Sequence, residues 1–479
     1  MLTSLRGRYI RNLIKYKYTK GAKTQVIHTY SLNGYYIAID SNSGGIHVLD
    51  DITFKLLKDE SGMPTREDAL KKLKWEYTTE EIYEAYNEVT ALNEQGMLFS
   101  PLNSLEDTIK SKPMNTSVKA ICLHVSHDCN LRCEYCFASE GDYNSGRKLM
   151  SKEVALKAVD YLVANSKGRH NLEIDFFGGE PLMNFEVVKD VVAYGRQLEA
   201  STGKHFYFTI TTNGTLLDKE KIDFINEYMD NVVISIDGRK KVHDAVRHNQ
   251  AGHGSYDKIV PLAKELVDGR NGKSYFIRGT FTDRNKDFSK DVMHLADMGF
   301  KEVSVEPVVG SGGDLYFKES DIPELLNEYE NLAMQYIERL QDESKSFRFY
   351  HFNINIYDGP CLFKRITACG AGYEYLAVSP EGSIYPCHQF VGQDQFAIGD
   401  VYTGTRNPEL CNQFMKNNVL AKAKCRDCWA KLFCSGGCHA KAYFSNGSIS
   451  EPNELACTLQ KKRIECAVMI QAFLAEKGN

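Results

Sequence analysis

The sequence predicts an α/β protein: a partial (β/α)6 TIM-like barrel, preceded by a winged-helix-like module and followed by a cysteine-rich domain. Three observations carry this reading. Between residues 118 and 341, six short apolar segments alternate with helical stretches. Residues 26 to 96 read instead as three strands and then three helices. All 14 cysteines lie beyond residue 121, and most crowd the last third of the chain.

The chain has 479 residues, which at about 150 per domain suggests about three domains. Hydrophobic residues are 43% and charged residues 25%, an ordinary globular balance that excludes a disordered or fibrous chain. The net charge of −5 disfavours a whole-chain nucleic-acid binder. No apolar run reaches the length of a membrane span, so a cytoplasmic protein without a membrane partner is expected. Residues 1–23 hold seven basic residues and no acid, with no apolar stretch after them. This is not a secretory signal. It reads as a loosely ordered terminus or an unphysiological start rather than a nucleic-acid arm.

Strands are expected at 26–30, 35–40 and 45–49, separated by Asn33-Gly34 and Ser43-Gly44-Gly45, which are hairpin signals. Helices follow at 52–58, 66–73 and 80–93, the last ended by Gly96. Acids after Leu49 (Asp50, Asp51, Asp59, Glu60) argue against a nucleic-acid partner. The module spans 24–105, and 106–116, with Pro113, reads as a linker.

From 117 to 345 the strands are expected at 118–126, 173–177, 206–211, 232–236, 275–281 and 302–307. The helices between and after them fall at 152–165, 186–199, 218–229, 256–268, 286–297 and 320–341. Consecutive βα units give a parallel sheet with right-handed crossovers. Six units are short of the eight that close a full barrel, so it stays open. After Phe347 the helical periodicity fails, and 346–479 has few ways to bury a core. Its cysteines must hold it, before a final helix over about 459–475.

Cysteines in a chain without an export signal read as metal ligands rather than disulfides. The first strand ends in Cys129, Cys133 and Cys136, spaced C-x3-C-x2-C. Three thiolates on one loop can hold three irons of a cubane and leave the fourth open for a cofactor. A structural zinc site would want four closed ligands. In the tail, Cys369, Gly382 and Cys387 form C-x12-G-x4-C, and Cys425, Cys428, Cys434 and Cys438 form C-x2-C-x5-C-x3-C, with Cys457 beyond. Cys122 reads as a buried small hydrophobe, and Cys411 and Cys466 as structural. His388 and His439, beside ligand cysteines, read as supporting groups rather than ligands.

The loop, with Tyr135 directly before its last cysteine, resembles the signature of the radical S-adenosylmethionine (SAM) superfamily. Further motifs sit at the carboxyl ends of successive strands, where barrel enzymes place their sites. Gly178-Gly179-Glu180-Pro181 is similar to the motif that binds the SAM amino group. Thr212 and Asn213 follow the next strand. Ser235 and Asp237 fall where the family contacts the ribose, and Arg278 resembles the arginine that meets the SAM carboxylate.

The tail resembles the SPASM extension, which implies two auxiliary [4Fe–4S] clusters and three in all. By that resemblance Cys425, Cys428, Cys434 and Cys457 bind the outer cluster, and Cys369, Cys387 and Cys438 the inner one. The inner cluster's fourth position falls to Cys361 or to a substrate thiolate; spacing is compatible with both. The head resembles a RiPP recognition element, which binds the leader of a ribosomally made precursor by strand addition. Residues 31–50 look like the start of maturases acting on SCIFF peptides, with six cysteines in forty-five residues.

Together the resemblances imply a maturase that links a substrate cysteine sulfur to an acceptor α-carbon, with threonine as acceptor, through a 5′-deoxyadenosyl radical. They also imply an electron donor such as flavodoxin or ferredoxin and an oxygen-poor cell. Anaerobic sulfatase maturases place an aspartate after the cysteine matching Cys387, where this chain has His388. Carbon–carbon crosslinking and epimerisation remain compatible with the motifs. A zinc-bound peptide adaptor is the non-enzymatic alternative.

Overall fold

The computed structural model describes residues 9–10, 27–110, 116–310, 313–356 and 362–478. Most of the basic segment 1–23, residues 111–115 of the expected linker, and Cys361 therefore lie outside the described residues.

The head carries four strands, β1 (Tyr9–Ile10), β2 (Ile27–Leu32), β3 (Tyr35–Asp40) and β4 (Ile46–Leu49), in the order β1-β4-β3-β2. The β2–β3 hairpin turns at Asn33 and Gly34, with φ of 50° and 77°. Two consecutive left-handed residues match the strand twist, which is why Asn-Gly sits there. Three helices follow, Asp51–Leu57, Arg66–Leu73 and Thr79–Glu94. Asp50, Thr65 and Thr78 cap them, the latter two through reciprocal capping boxes. Ala38, Leu56, Leu73, Ile82, Val89 and Phe99 close the core of this module.

One further helix stands where a connector is expected. Leu102–Lys110 is helical, so the expected linker at 106 begins too early. Leu102 and Leu105 pack with Ile366, Val419 and Leu432, which fastens this helix to the tail.

The barrel begins with β5 (Ala120–His127), followed by the short β6 (Leu131–Cys133) and β7 (Lys148–Leu149). Then come β8 (Asn171–Gly178), β9 (His205–Thr212), β10 (Asn231–Ser235), β11 (Arg247–Asn249), β12 (Ser274–Phe281) and β13 (Glu302–Pro307). All six expected strands are present and pair in parallel. Alternate residues explain the layering. Ile174, Phe176, Phe206, Phe208, Ile210, Val232 and Ile234 are fully buried under the helices. Asp175, Thr209, Thr211 and Ser235, one residue out of phase, face a concave cavity.

The sheet extends past the six units at both ends. β14 (Arg348–Phe349) adds in parallel to β13, and β15 (Tyr375–Val378) adds in parallel to β5. β16 (Ser383–Tyr385), β17 (Gly399–Asp400) and β18 (Gly404–Thr405) continue antiparallel. The tail is thus sewn into the barrel sheet.

The tail also departs from the expectation that it lacks a core. Phe390, Phe396 and Phe414 are buried together, with ring centroids 4.3 and 5.5 Å from Phe390. Aromatic rings spread along 390–414 carry no helical period, so this core leaves no sequence pattern. The last helix is Glu454–Lys477, longer than expected at both ends. Asn453 caps it, which puts Cys457 in its first turn. The same helix braces the head. Glu465 meets His28 at 2.8 Å, and its carbonyl accepts from the Tyr30 hydroxyl at 3.0 Å. His28 stacks on Trp429 at 3.9 Å.

Candidate active site

The loop after β5 holds Cys129, Cys133 and Cys136 at the carboxyl end of the sheet. Its shape is set by close backbone approaches. The Gly179 N–H donates to the Ser126 carbonyl at 2.7 Å, and the Glu180 N–H to the Asp128 carbonyl at 2.9 Å. A Cβ on Gly178 would collide with the Ser126 carbonyl, and one on Gly179 with the Asp128 carbonyl. Gly141, at φ 98°, comes so near that a Cβ would lie 2.7 Å from the Cys129 Cβ. Glycine is required at these approaches because nothing larger fits.

A polar frame surrounds the loop. Asn130 donates to Thr215 Oγ1 at 2.6 Å, and the Asn213 amide donates to Asn130 at 3.0 Å, with Cys129 Sγ 3.6 Å away. Glu180 is wholly buried. Its carboxylate accepts from Thr212 Oγ1 at 2.7 Å, the Asn213 N–H at 2.8 Å and the Leu182 N–H at 3.0 Å. Burial pushes its pKa up to about 7 against those donors. Pro181 opens the turn Pro181–Asn184 that follows, in which Pro181 and Leu182 are buried.

Asp237 does not take the place expected for a ribose contact. It is fully buried. Its oxygens accept from the Tyr135 hydroxyl at 2.6 Å, the Thr280 N–H at 2.9 Å and Arg247 Nε at 3.1 Å. With those donors in place it positions Tyr135 and Arg247 instead. Arg247 carries no motif in the sequence. It arrives because β11 pairs antiparallel with β6, setting Arg247 opposite Cys133. Its Nη1 lies 3.9 Å from Cys133 Sγ.

Burial pushes the Cys129 thiol up to about 12 and the Cys133 thiol up to about 11, the latter opposed by Arg247. Both thiols are therefore protonated near neutrality, and iron binding must release those protons.

Cys129, Cys133, Tyr135, Cys136, Gly178, Gly179, Thr212, Asn213, Ser235 and Arg278 all line one cavity of about 540 Å³. Glu180, Pro181 and Asp237 stand behind its wall. Arg278 reaches Glu306 at 3.3 Å, and Lys441 of the tail lies 3.9 Å from the same carboxylate. The tail closes the cavity with Tyr375, His388 and Gln389. His388 Nδ1 shares a hydrogen bond with the Tyr375 hydroxyl at 3.1 Å, and its ring lies 5.1 Å from Phe177. Burial holds its pKa down to about 4, so the imidazole is neutral. Cys122 is buried as expected but lines this cavity as well.

In the tail, Cys425, Cys428, Cys434 and Cys457 line one separate pocket of about 70 Å³. Cys387 is buried, whereas Cys369 and Cys438 are exposed. Burial, then the neighbouring Cys438 and Cys369, raises the Cys387 pKa. Among the described residues no three histidine, cysteine or carboxylate groups gather as ligands of one metal ion. Cubane ligands stand further apart than that, since each thiolate binds its own iron.

A three-thiol loop, a cavity within the 300–1,000 Å³ range of small-molecule sites, and the glycine-cradled strand ends fit a [4Fe–4S] cluster with SAM beside it. Residues 123–290 match the radical SAM superfamily. Those residues are a radical SAM domain. The cysteine-type anaerobic sulfatase-maturating enzyme of Clostridium novyi (strain NT) is 26% identical over 348 residues, covering 67% of this chain and 88% of that protein. The antilisterial bacteriocin subtilosin biosynthesis protein AlbA of Bacillus subtilis (strain 168) is 25% identical over 343 residues, covering 66% and 68%. Among solved structures, native anSMEcpe with bound AdoMet has the same fold. Its TM-score is 0.62 at 21% identity, over 75% of this chain and 99% of that one.

Proposed function

We propose that this radical SAM enzyme is a peptide maturase of the SPASM kind. In this reading it joins cysteine sulfur to an acceptor α-carbon, threonine by resemblance, within a ribosomally made, cysteine-rich peptide. The observation that supports it is the shared cavity: the three-thiol loop of the barrel and His388 of the tail line the same space. A substrate in that space would touch both domains. Its relatives include a sulfatase-maturating enzyme and a bacteriocin biosynthesis protein, which agrees with a maturase reading.

When bound, SAM and the clusters supply one-electron cleavage to a 5′-deoxyadenosyl radical and a sink for the surplus electron. Cys129, Cys133 and Cys136 would hold the SAM-binding cluster. Cys425, Cys428, Cys434 and Cys457 would hold the outer auxiliary cluster, and Cys369, Cys387 and Cys438 the inner one. The rest is positioning. Asn213 and Asn130 fix the loop at Cys129, while Asp237 and Arg247 fix it at Tyr135 and Cys133. Gly178 and Gly179 let their strand end pack against the Ser126 and Asp128 carbonyls of the cysteine loop. Arg278 offers a guanidinium to a carboxylate. His388, neutral and facing the cavity, can accept a proton from a substrate thiol. The head would take the leader along a sheet edge, and a flavodoxin or ferredoxin would supply electrons.

Sulfatase maturation is the second reading, favoured by the relatives. The neutral imidazole of His388 at the position where those maturases carry an aspartate weighs against it. The test is anaerobic incubation of reconstituted enzyme with SAM, reductant and a leader-bearing cysteine-rich peptide, read by mass spectrometry. Loss of two hydrogens per crosslink, with those thiols no longer alkylated, is expected. Formylglycine in a sulfatase peptide under the same conditions would support the second reading instead.

A further inference from the structure

The head sheet has two edges, and they differ. The β2 edge faces the Glu454–Lys477 helix, through the contacts of His28 and Tyr30 with Glu465. The β4 edge is covered by the chain's own β1: Tyr9 pairs with His47 and Ile10 with Ile46, antiparallel. Beside the end of β4 a groove of about 240 Å³ runs between the first and third helices of the head. Asp50, Asp51, Glu81 and Glu88 line it, with Ile52, Tyr77 and Ala85 as its apolar floor. The strand that lies on this edge belongs to a segment of opposite sign, with seven basic residues and no acid in residues 1–23.

We infer that the β4 edge with its acidic groove is a docking surface for an extended basic peptide, and that the chain's own N-terminal segment is its resident occupant. The inference rests on the reading of the head as a leader-binding module and adds a competitor to it. Backbone pairing supplies the affinity and the acidic groove selects the charge. Among the described residues the pairing covers two positions, and a strand held at so few positions can be displaced. A precursor leader must therefore compete with a tethered strand whose effective concentration is high.

The test uses a fluorescein-labelled synthetic peptide of residues 1–23, added to the full-length reconstituted enzyme and read by anisotropy. Two partners are compared, wild type and Ile10→Pro. The proline removes an N–H and disfavours the paired conformation. The variant is expected to bind the labelled peptide about tenfold more tightly than wild type, because the tethered competitor is released. Adding Glu88→Lys to the variant should weaken that binding, and raised salt should weaken it further. Equal affinities of wild type and Ile10→Pro, or binding unaffected by Glu88→Lys, would overturn the inference. The leader reading is tested separately by adding an unlabelled precursor to Ile10→Pro. Displacement of the bound label supports both ideas. Bound label that no precursor displaces leaves the self-occupancy standing and removes the leader reading.

Discussion

Arg247 donates to Asp237 at 3.1 Å while its other arm lies 3.9 Å from the sulfur of Cys133. One buried ion pair thus ties the cysteine loop to the end of β10. Removing one partner of such a pair strands a buried charge, at about 3–5 kcal/mol. Arg247→Ala is expected to fall in that range in urea denaturation and to lower iron uptake during reconstitution. Asp237→Asn keeps the shape but leaves the buried Arg247 charge unpaired, so it should also lower stability and slow 5′-deoxyadenosine formation. Iron content and SAM cleavage unchanged in both variants would remove Arg247 from the site.

Glu180 sets up a contest between burial and three donors. Burial raises its folded pKa to about 7 from the ordinary 4.5. A folded pKa above the unfolded one contributes stability that is complete below the unfolded pKa and is lost as pH rises through the folded value. Cofactor-free wild type should therefore weaken relative to Glu180→Gln between pH 4.5 and about 7, with no further change above. Urea midpoints on either side of that interval measure this. A wild type that gains on the variant over the same interval would mean that the donors outweigh burial.

Gly179→Ala places a methyl group against the Asp128 carbonyl, a backbone atom that cannot rotate away. The loop carrying Cys129 must shift. On the proposed assignment of three clusters, the SAM-binding cluster is lost and the auxiliary ones are kept, so iron should fall by about four of twelve per chain.

Cys434→Ala tests the other end. It removes one of four thiols lining a single pocket. Iron should again fall by about four per chain, but 5′-deoxyadenosine should still form, because the three-thiol loop is untouched. Peptide crosslinking should be lost.

The aromatic core of the tail predicts partial independence from its metals. Phe414 is 1% exposed, and Phe414→Ala should cost about 3–5 kcal/mol even without clusters. Chemical denaturation of the cofactor-free protein measures it. No loss would mean that the cysteines alone hold this domain.

The six barrel strands are legible because each alternates one helix-covered apolar row with one cavity row, and their motifs follow at the strand ends. Arg247 is not legible. It reaches Cys133 through a three-residue strand pair, too short to show a period. Asp237 is legible as a site residue but not in its role, since a motif marks position but not which donors saturate a carboxylate. The Leu102–Lys110 helix is hidden because its partners, Ile366, Val419 and Leu432, lie in the tail, far along the chain. The cysteine groups follow from spacing and resemblance, and the outer four do line one pocket.

In the proposed reaction a hydrogen atom leaves a peptide held in the cavity that the three-thiol loop and the tail share. The direct measurement uses a leader-bearing, cysteine-rich peptide with deuterium at the threonine α-carbons, followed by mass spectrometry of both products. Deuterium is expected in 5′-deoxyadenosine, with a crosslinked peptide that has lost one deuterium and one hydrogen per thioether. Unlabelled 5′-deoxyadenosine alongside a peptide that keeps every deuterium would contradict it.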